Sequence, residues 1–278
     1  MIFSFKKKNK QTTDLKSFEI PSFSTSVVSL LGKLRNPEIA IDELTSELER
    51  DPGLYVRVLK TVNASAFGLS RKVSNIQHAV NLLGRGRLEA LVLSVAVKDN
   101  LTAKNQATWL NMADFWKTAS LRAAVAKTLA AELDPQTQSD VFTIGLLQDI
   151  AIPILANRHG QGYRDLFERW QTEEGLNLAE LENRFFGIDH MALGAYMAEC
   201  WEFPGNLIEG IGDHHDHENT ALPLAVKIAA LINGNAKQDN SKALSLQAAQ
   251  LFNLNQEKLL PLIDQALQQS TELSAALN

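Results

Sequence analysis

The sequence predicts an all-α protein. Apolar residues recur at three- to four-residue steps along most of its 278 residues, which is the spacing of one helix face. Capping residues, prolines and glycines punctuate these stretches where helices start and stop, and no pair of alternating segments carries a hairpin turn. In residues 22–36, Phe23, Val27, Leu30, Leu31 and Leu34 form a single stripe, and Asn36-Pro37 closes the helix because a residue before proline avoids helical torsions. Residues 41–50 give a short amphipathic helix through Ile41, Leu44 and Leu48. Asp51-Pro52 then offers a cap and a first-turn proline for a third helix through Leu54, Val58 and Leu59. Ser74 is placed to cap a helix over 75–83, which Gly84 stops.

Residues 87–101 are almost continuously apolar (Leu88, Leu91, Val92, Leu93, Val95, Val97), and their length and polar flanks favour a buried helix over a buried strand. Further helices are expected over 108–133, 139–157, 161–174, 177–186, 189–202, 204–213, 221–234, 242–252 and 256–270. The polar stretch 102–108 marks an internal boundary between a smaller amino-terminal helical lobe and a larger one. Before them, residues 1–17 with Lys6, Lys7, Lys8 and Lys10 read as a basic, flexible, solvated tail.

The bulk numbers exclude several classes. Apolar residues make up 45% and charged residues 21%, enough for a packed core and too much for disorder over the whole chain. A net charge of -5 opposes a protein that coats nucleic acid. Arg57 and Lys60, in a helix pair resembling a helix–turn–helix, give little for a groove reader. Cys200, the single cysteine, cannot form an internal disulfide, which fits a reducing cytoplasm, and its apolar neighbours suggest a small buried packing residue. No uninterrupted apolar run reaches about 18 residues, and the first residues lack the order of a secretory signal, so membrane insertion is not expected.

Two segments could carry chemistry. In residues 145–152, Asp149 is a carboxylate in an apolar helix, and an unpaired buried carboxylate needs a cation, a metal or several donors. Residues 213–218 concentrate His214, His215 and His217 between acids, ordinary ligands for zinc, iron or manganese, although without a fixed ligand spacing. The bland alternatives are a structural acceptor for Asp149 and a solvated connection for the histidines. Asp189 before His190 reads as a helix cap, and His78 and His159 are isolated. Gly84-Arg85-Gly86-Arg87 follows a helix and not a strand, so it lacks the setting of a phosphate loop.

Taken together, Asp51-Pro52-Gly53-Leu54, Asn63-Ala64-Ser65-Ala66-Phe67-Gly68, Ser74-Asn75-Ile76 and Ala79-Val80-Asn81-Leu82-Leu83-Gly84 resemble the signature of the HDOD domain. Phe115-Trp116, Gly145-Leu146-Leu147, Phe186-Gly187-Ile188-Asp189-His190 and Trp201-Glu202-Phe203-Pro204 before His214-His215 are similar to its HD-like half. The resemblance covers roughly residues 18–216. It implies a smaller lobe at about 18–105 packed on an HD-like lobe at about 106–216, with a helical extension over 217–278 packed on the latter.

HDOD domains resemble HD phosphohydrolases, whose histidines and aspartates hold one or two metals that activate water against a phosphate ester. The resemblance implies a dismantled version of that centre. The first histidine is replaced near Thr118 and Ala119, and Gln148 stands where the histidine of the His-Asp doublet is expected. Asp149, His190, His214 and His215 match ligand positions, and the late aspartate is missing near Lys227 and Ala230. Two ions about 4 Å apart need more donors than these four, so no catalytic residue and no resident cofactor are expected, a single divalent ion being the most the set could carry. The resemblance therefore implies a non-enzymatic module of bacterial signal transduction, binding a signalling protein or a small nucleotide-like ligand through the degenerate cleft. The competing readings are a metal-dependent phosphohydrolase acting on a cyclic nucleotide and a nucleic-acid-binding regulator.

Overall fold

In the computed structural model, which describes residues 14–64, 72–173, 175–235 and 239–277, every regular element among these residues is a helix. Lys6, Lys7, Lys8 and Lys10 of the expected tail and residues 65–68 of the signature lie outside the described residues. Residues 14–17 of that tail belong to the folded body: Asp14 accepts from the Lys16 amide at 3.0 Å to start a 3-10 turn over Leu15–Ser17, and Arg158 donates to the Ser17 carbonyl at 3.2 Å.

Ser24 caps α1 (Thr25–Arg35), which buries Val27, Leu30, Leu31 and Leu34 as its stripe requires. Helix α2 (Ile41–Glu49) follows, and Asp51 accepts from the Leu54 amide at 2.9 Å to open α3 (Pro52–Val62), with Pro52 in the first turn where no intrahelical donor is needed. The cap of α4 (Ile76–Leu83) is Asn75 and not Ser74. The helix starts one residue later than expected, and the Asn75 carboxamide, on an extended backbone, reaches the His78 amide at 2.8 Å. Gly84, with φ 78°, ends α4 and lets α5 (Arg85–Lys104) begin at once. Helix α5 buries residues around most of its circumference and packs against α1, α3, α4 and, further along the chain, α7 (Gln138–Leu147).

The polar stretch after α5 is pinned by α8 (Ile152–His159), where Asn157 accepts from the Gln106 and Ala107 amides (2.8 and 2.9 Å) and donates to the Lys104 carbonyl. Helix α6 (Met112–Leu133), capped by Asn111, is the hub of the second half and contacts α7 (Gln138–Leu147), α13 (Leu224–Ala229) and α15 (Gln256–Leu277). Around it run α8 (Ile152–His159), α9 (Gln161–Thr172), α10 (Leu178–Phe186), α11 (His190–Cys200), α12 (Gly205–Gly212) and α14 (Ser241–Phe252). Helix α15 also touches α3, so the last helix meets both ends of the fold, and the buried apolar cluster runs unbroken from Phe18 to Leu277.

Four further expectations are corrected. The helix over 139–157 is two helices, α7 and α8. The helix over 221–234 shrinks to six-residue α13, begun after Pro223. The last helix runs past 270 to Leu277. Cys200, the last residue of α11, is exposed although Met197 and Ala198 in the preceding turn are buried. The stretch Asp140–His159 is long and apolar enough to cross a bilayer by composition, yet 89% of its 18-residue apolar segment is buried within the protein, as core helices are.

Close approach of α6 and α7 depends on Gly145, where a Cβ would stand 2.9 Å from the Arg122 carbonyl oxygen and 3.1 Å from the Ala123 Cα. These are backbone atoms with no freedom to step aside. Gly145→Ala should therefore destabilise the protein by about 2 kcal/mol in urea titrations, although alanine is the better helix former. An unchanged or raised midpoint would show that the two helices can separate freely.

Candidate metal centre

Asp149 does not sit midway along a helix, as its sequence context suggested. Pro153 has no amide hydrogen and its ring would clash with the residue 149 carbonyl in a continuous helix. Helix α7 therefore stops at Leu147, residues 148–151 turn, and α8 starts at Ile152 with Pro153 in its first turn. The Asp149 side chain is left buried against α6, α11 and the turn after α12.

The structure brings together the four candidate ligands Asp149, His190, His214 and His215, with one donor atom from each within 4.8 Å of all the others. His190 opens α11 beside its cap Asp189, whose carboxylate accepts from the Ala192 amide at 2.8 Å, as the sequence suggested. His214 and His215 follow the end of α12. The Nε2 atoms of His190 and His214 face each other at 3.2 Å, and Asp149 Oδ1 lies 3.6 Å from the first and 3.3 Å from the second. Asp149, His190 and His214 are buried, whereas His215 is partly exposed. Gln148 is buried with neither side-chain polar atom hydrogen-bonded to protein, and Asp149 Oδ1 makes no well-aligned hydrogen bond.

Three residues that the sequence did not single out complete the site. Arg122 on α6 donates from Nη1 to Asp149 Oδ2 at 2.6 Å, and from Nε and Nη2 to the Ile232 carbonyl at 2.9 and 2.6 Å. Glu182 on α10 accepts at Oε2 from the His190 amide (2.8 Å) and faces its Nδ1 at 2.6 Å. Tyr163 on α9 donates to Glu182 Oε1. Arg122 lies one turn beyond Thr118 and Ala119, where the missing histidine was sought, and only the packing of α6 on α7 relates it to Asp149.

These contacts settle where the ring protons sit. The Ile211 carbonyl can only accept, so the Nδ1 of His214, 2.8 Å away, is its donor. The carboxylate of Glu182 likewise calls for a proton on the Nδ1 of His190. Two neutral rings would then aim bare Nε2 lone pairs at one another and at Asp149 Oδ1, so a positive centre must lie among them. Without a metal, a proton on His190 Nε2 supplies it. Burial disfavours the imidazolium of His190, but Glu182 and Asp149 overcome this and raise its pKa to about 9. Burial lowers the pKa of His214 despite Asp149, and burial with two neighbouring histidines lowers that of His215 further. Burial alone would raise the pKa of Asp149, yet Arg122, with His214 and His190 behind it, holds it well below the carboxylate range.

The donor set also fits one metal ion. Bonds of about 2.0–2.1 Å to zinc in tetrahedral array place ligand atoms about 3.3 Å apart. The spacings of 3.2, 3.3 and 3.6 Å among His190, His214 and Asp149 match that edge. Such an ion would replace the proton on His190 Nε2, with His215 as a further ligand. Among the other histidines, His159 stacks on Phe186 (centroids 4.1 Å apart) and His217 packs against Phe252. Arg57 pairs with Asp99 at 2.8 Å.

Residues 20–217 match the HDOD domain. An uncharacterised protein of Treponema pallidum (strain Nichols) is 25% identical over 199 residues, 71% of this chain and 38% of that protein. Over 121 residues, 44% of this chain and 29% of that protein, YuxH of Bacillus subtilis (strain 168), also uncharacterised, is 28% identical. The chain therefore spans well under half the length of these relatives. Among solved structures, one from Shewanella amazonensis SB2B, named for a phosphohydrolase, superposes with TM-score 0.74 at 22% identity, covering 93% of this chain and 95% of that one. An HDOD domain protein of unknown function from Geobacter sulfurreducens gives 0.66 at 24% identity, covering 93% and 92%. A Marinobacter aquaeolei VT8 structure named for signal transduction gives 0.62 at 18%, covering 95% and 60%. At these identities the superpositions establish the fold.

Removing the guanidinium would leave a buried carboxylate without its main partner. Arg122→Ala is expected to cost about 3–5 kcal/mol in denaturant unfolding, and a loss under about 1 kcal/mol would show that Asp149 does not depend on it. In chelator-treated protein the raised pKa of His190 contributes stability that is complete below its ordinary value of 6.5 and is lost as pH rises towards about 9. The unfolding midpoint should fall across that window, and the fall should vanish in His190→Gln. The depressed pKa of Asp149 acts in the opposite sense, contributing above its ordinary value of 3.8 and losing that contribution in stronger acid.

Proposed function

This chain belongs to the HDOD family, and we propose that it is a non-enzymatic regulatory module of signal transduction, working by association and not by turnover. The observation that carries the reading is the ion pair between Arg122 and Asp149. With Oδ2 held by the guanidinium at 2.6 Å, the carboxylate has only Oδ1 for a metal and cannot bridge two ions. Two-metal attack on a phosphate ester needs such sharing and further ligands for the second ion. Gln148 offers a neutral amide in place of imidazole, a poor ligand for these metals.

A single ion on Asp149, His190, His214 and His215 would supply positive charge and tie α11, the α7–α8 turn and the end of α12 together. It would thus act as a structural or ligand-sensing centre. The burial of Asp149, His190 and His214 supports this role, since a phosphate substrate has to reach the reacting oxygen. The structure named for signal transduction among those of like fold agrees with it. The partner we propose is a signalling protein, or a small nucleotide-like ligand held in the degenerate cleft outside the buried centre, in the cytoplasm. Arg57 pairs with Asp99, which leaves the α2–α3 pair little free positive charge for a nucleic-acid groove.

The competing enzymatic reading rests on the same converging donors, and metal stoichiometry separates the two. Chain purified and loaded with zinc, manganese or ferrous iron should hold at most one ion and leave a cyclic dinucleotide uncleaved. Two tightly held ions, with phosphodiester cleavage that stops on chelation, would establish an enzyme instead.

A further inference from the structure

Glu182 is fully buried on α10, yet no lysine or arginine pairs with it among the described residues. A buried carboxylate without a fixed cation is costly, so its donors matter. All of them serve one purpose. Oε2 takes both the backbone amide and the Nδ1 of His190, while Oε1 takes the Tyr163 hydroxyl. Next along α10, Asn183 donates to Asp189, the residue that caps α11 immediately before His190. Helix α10 thus fixes the place of His190 twice, through its amide and through its cap, and fixes the ring once through Nδ1.

We infer that Glu182 is the positioning residue that sets how tightly this centre holds a metal ion, by keeping a proton on the Nδ1 of His190 so that its Nε2 lone pair is strengthened and aimed at Asp149 Oδ1 and His214 Nε2. This rests on the single-ion reading above. The physical basis is the polarisation of an imidazole by a carboxylate on its far nitrogen, which raises the donor strength of the near nitrogen and restricts ring rotation. Glu182 offers no donor atom to the ion itself and acts only through His190. A purely structural acceptor at this position could equally be a glutamine, since a carboxamide oxygen can receive the same two His190 donors. The charge is what distinguishes the roles.

The test uses the full chain, with zinc titrated against a competing chelator and cobalt(II) as a visible-absorption reporter of ligand geometry. Glu182→Gln keeps an acceptor for His190 and removes the charge, and is expected to weaken zinc binding about 10- to 100-fold with an altered cobalt band. Tyr163→Phe keeps the charge and both His190 contacts, and should bind zinc close to the wild-type affinity. Wild-type affinity in Glu182→Gln, or equal weakening in both variants, would overturn the role. If Glu182→Gln does not fold, nitrogen-15 spectra of the zinc-loaded wild type decide it: His190 bound through Nε2 with Nδ1 protonated supports the role, and a free or Nδ1-bound ring overturns it. Wild-type chain that takes up no zinc would sink the single-ion reading and this role with it. Uptake with an unaffected Glu182→Gln would sink this role alone.

Discussion

A carboxylate almost out of reach of water has to be met by positive charge, and the interior around Asp149 is arranged to meet that demand. Its two oxygens are served differently. Arg122 takes Oδ2 from α6, while Oδ1 faces the imidazole nitrogens of His190 and His214. The first partner carries a permanent charge that no physiological pH removes. The second can be a proton or an ion. A fixed cation on one side and an exchangeable one on the other is a different electrostatic problem from a carboxylate bridging two metals. The proposed non-enzymatic role rests on this difference and not on the fold, which does not fix activity.

The same pair shows how packing and electrostatics are coupled. Arg122 reaches Asp149 because α6 and α7 lie close together at Gly145, and its other nitrogens satisfy the Ile232 carbonyl just beyond α13. One side chain thereby connects the hub helix, the α7–α8 turn and the segment after α13. Glu182 links α10 to the start of α11 in a similar way, and Tyr163 extends that link to α9. The centre is thus held by helices that the apolar core places independently of any ion. Loss or gain of a charge at the centre would act on all of these elements together, which is the physical route the proposed regulatory role would use.

Much of this was legible in the sequence, for physical reasons that can be named. Apolar spacing reports which face of a helix is buried, and caps such as Ser24, Asp51 and Asp189 act on amides within a few residues of themselves. The HDOD signature and the four ligand positions also lie in the linear order of residues. Interactions over short sequence distances leave a local trace, and most of the helices were readable from it. The errors came where a local trace was ambiguous. Pro153 could have predicted the break after Leu147, but the continuous apolar run concealed it. The cysteine at the end of α11 has apolar neighbours and still points outward.

What only the tertiary structure decided is how the charges are paired. Arg122 is 27 residues from Asp149 in sequence and its contact to Ile232 spans 110, so no periodicity or motif relates them. Glu182 looks like any acid on an amphipathic helix until His190 is placed against it. Pairing of buried charges depends on distances of a few ångströms between elements whose order along the chain carries no such information. The sequence by itself determined an all-helical body and the four candidate ligands, and the fold determined that an arginine and a second carboxylate contact two of them.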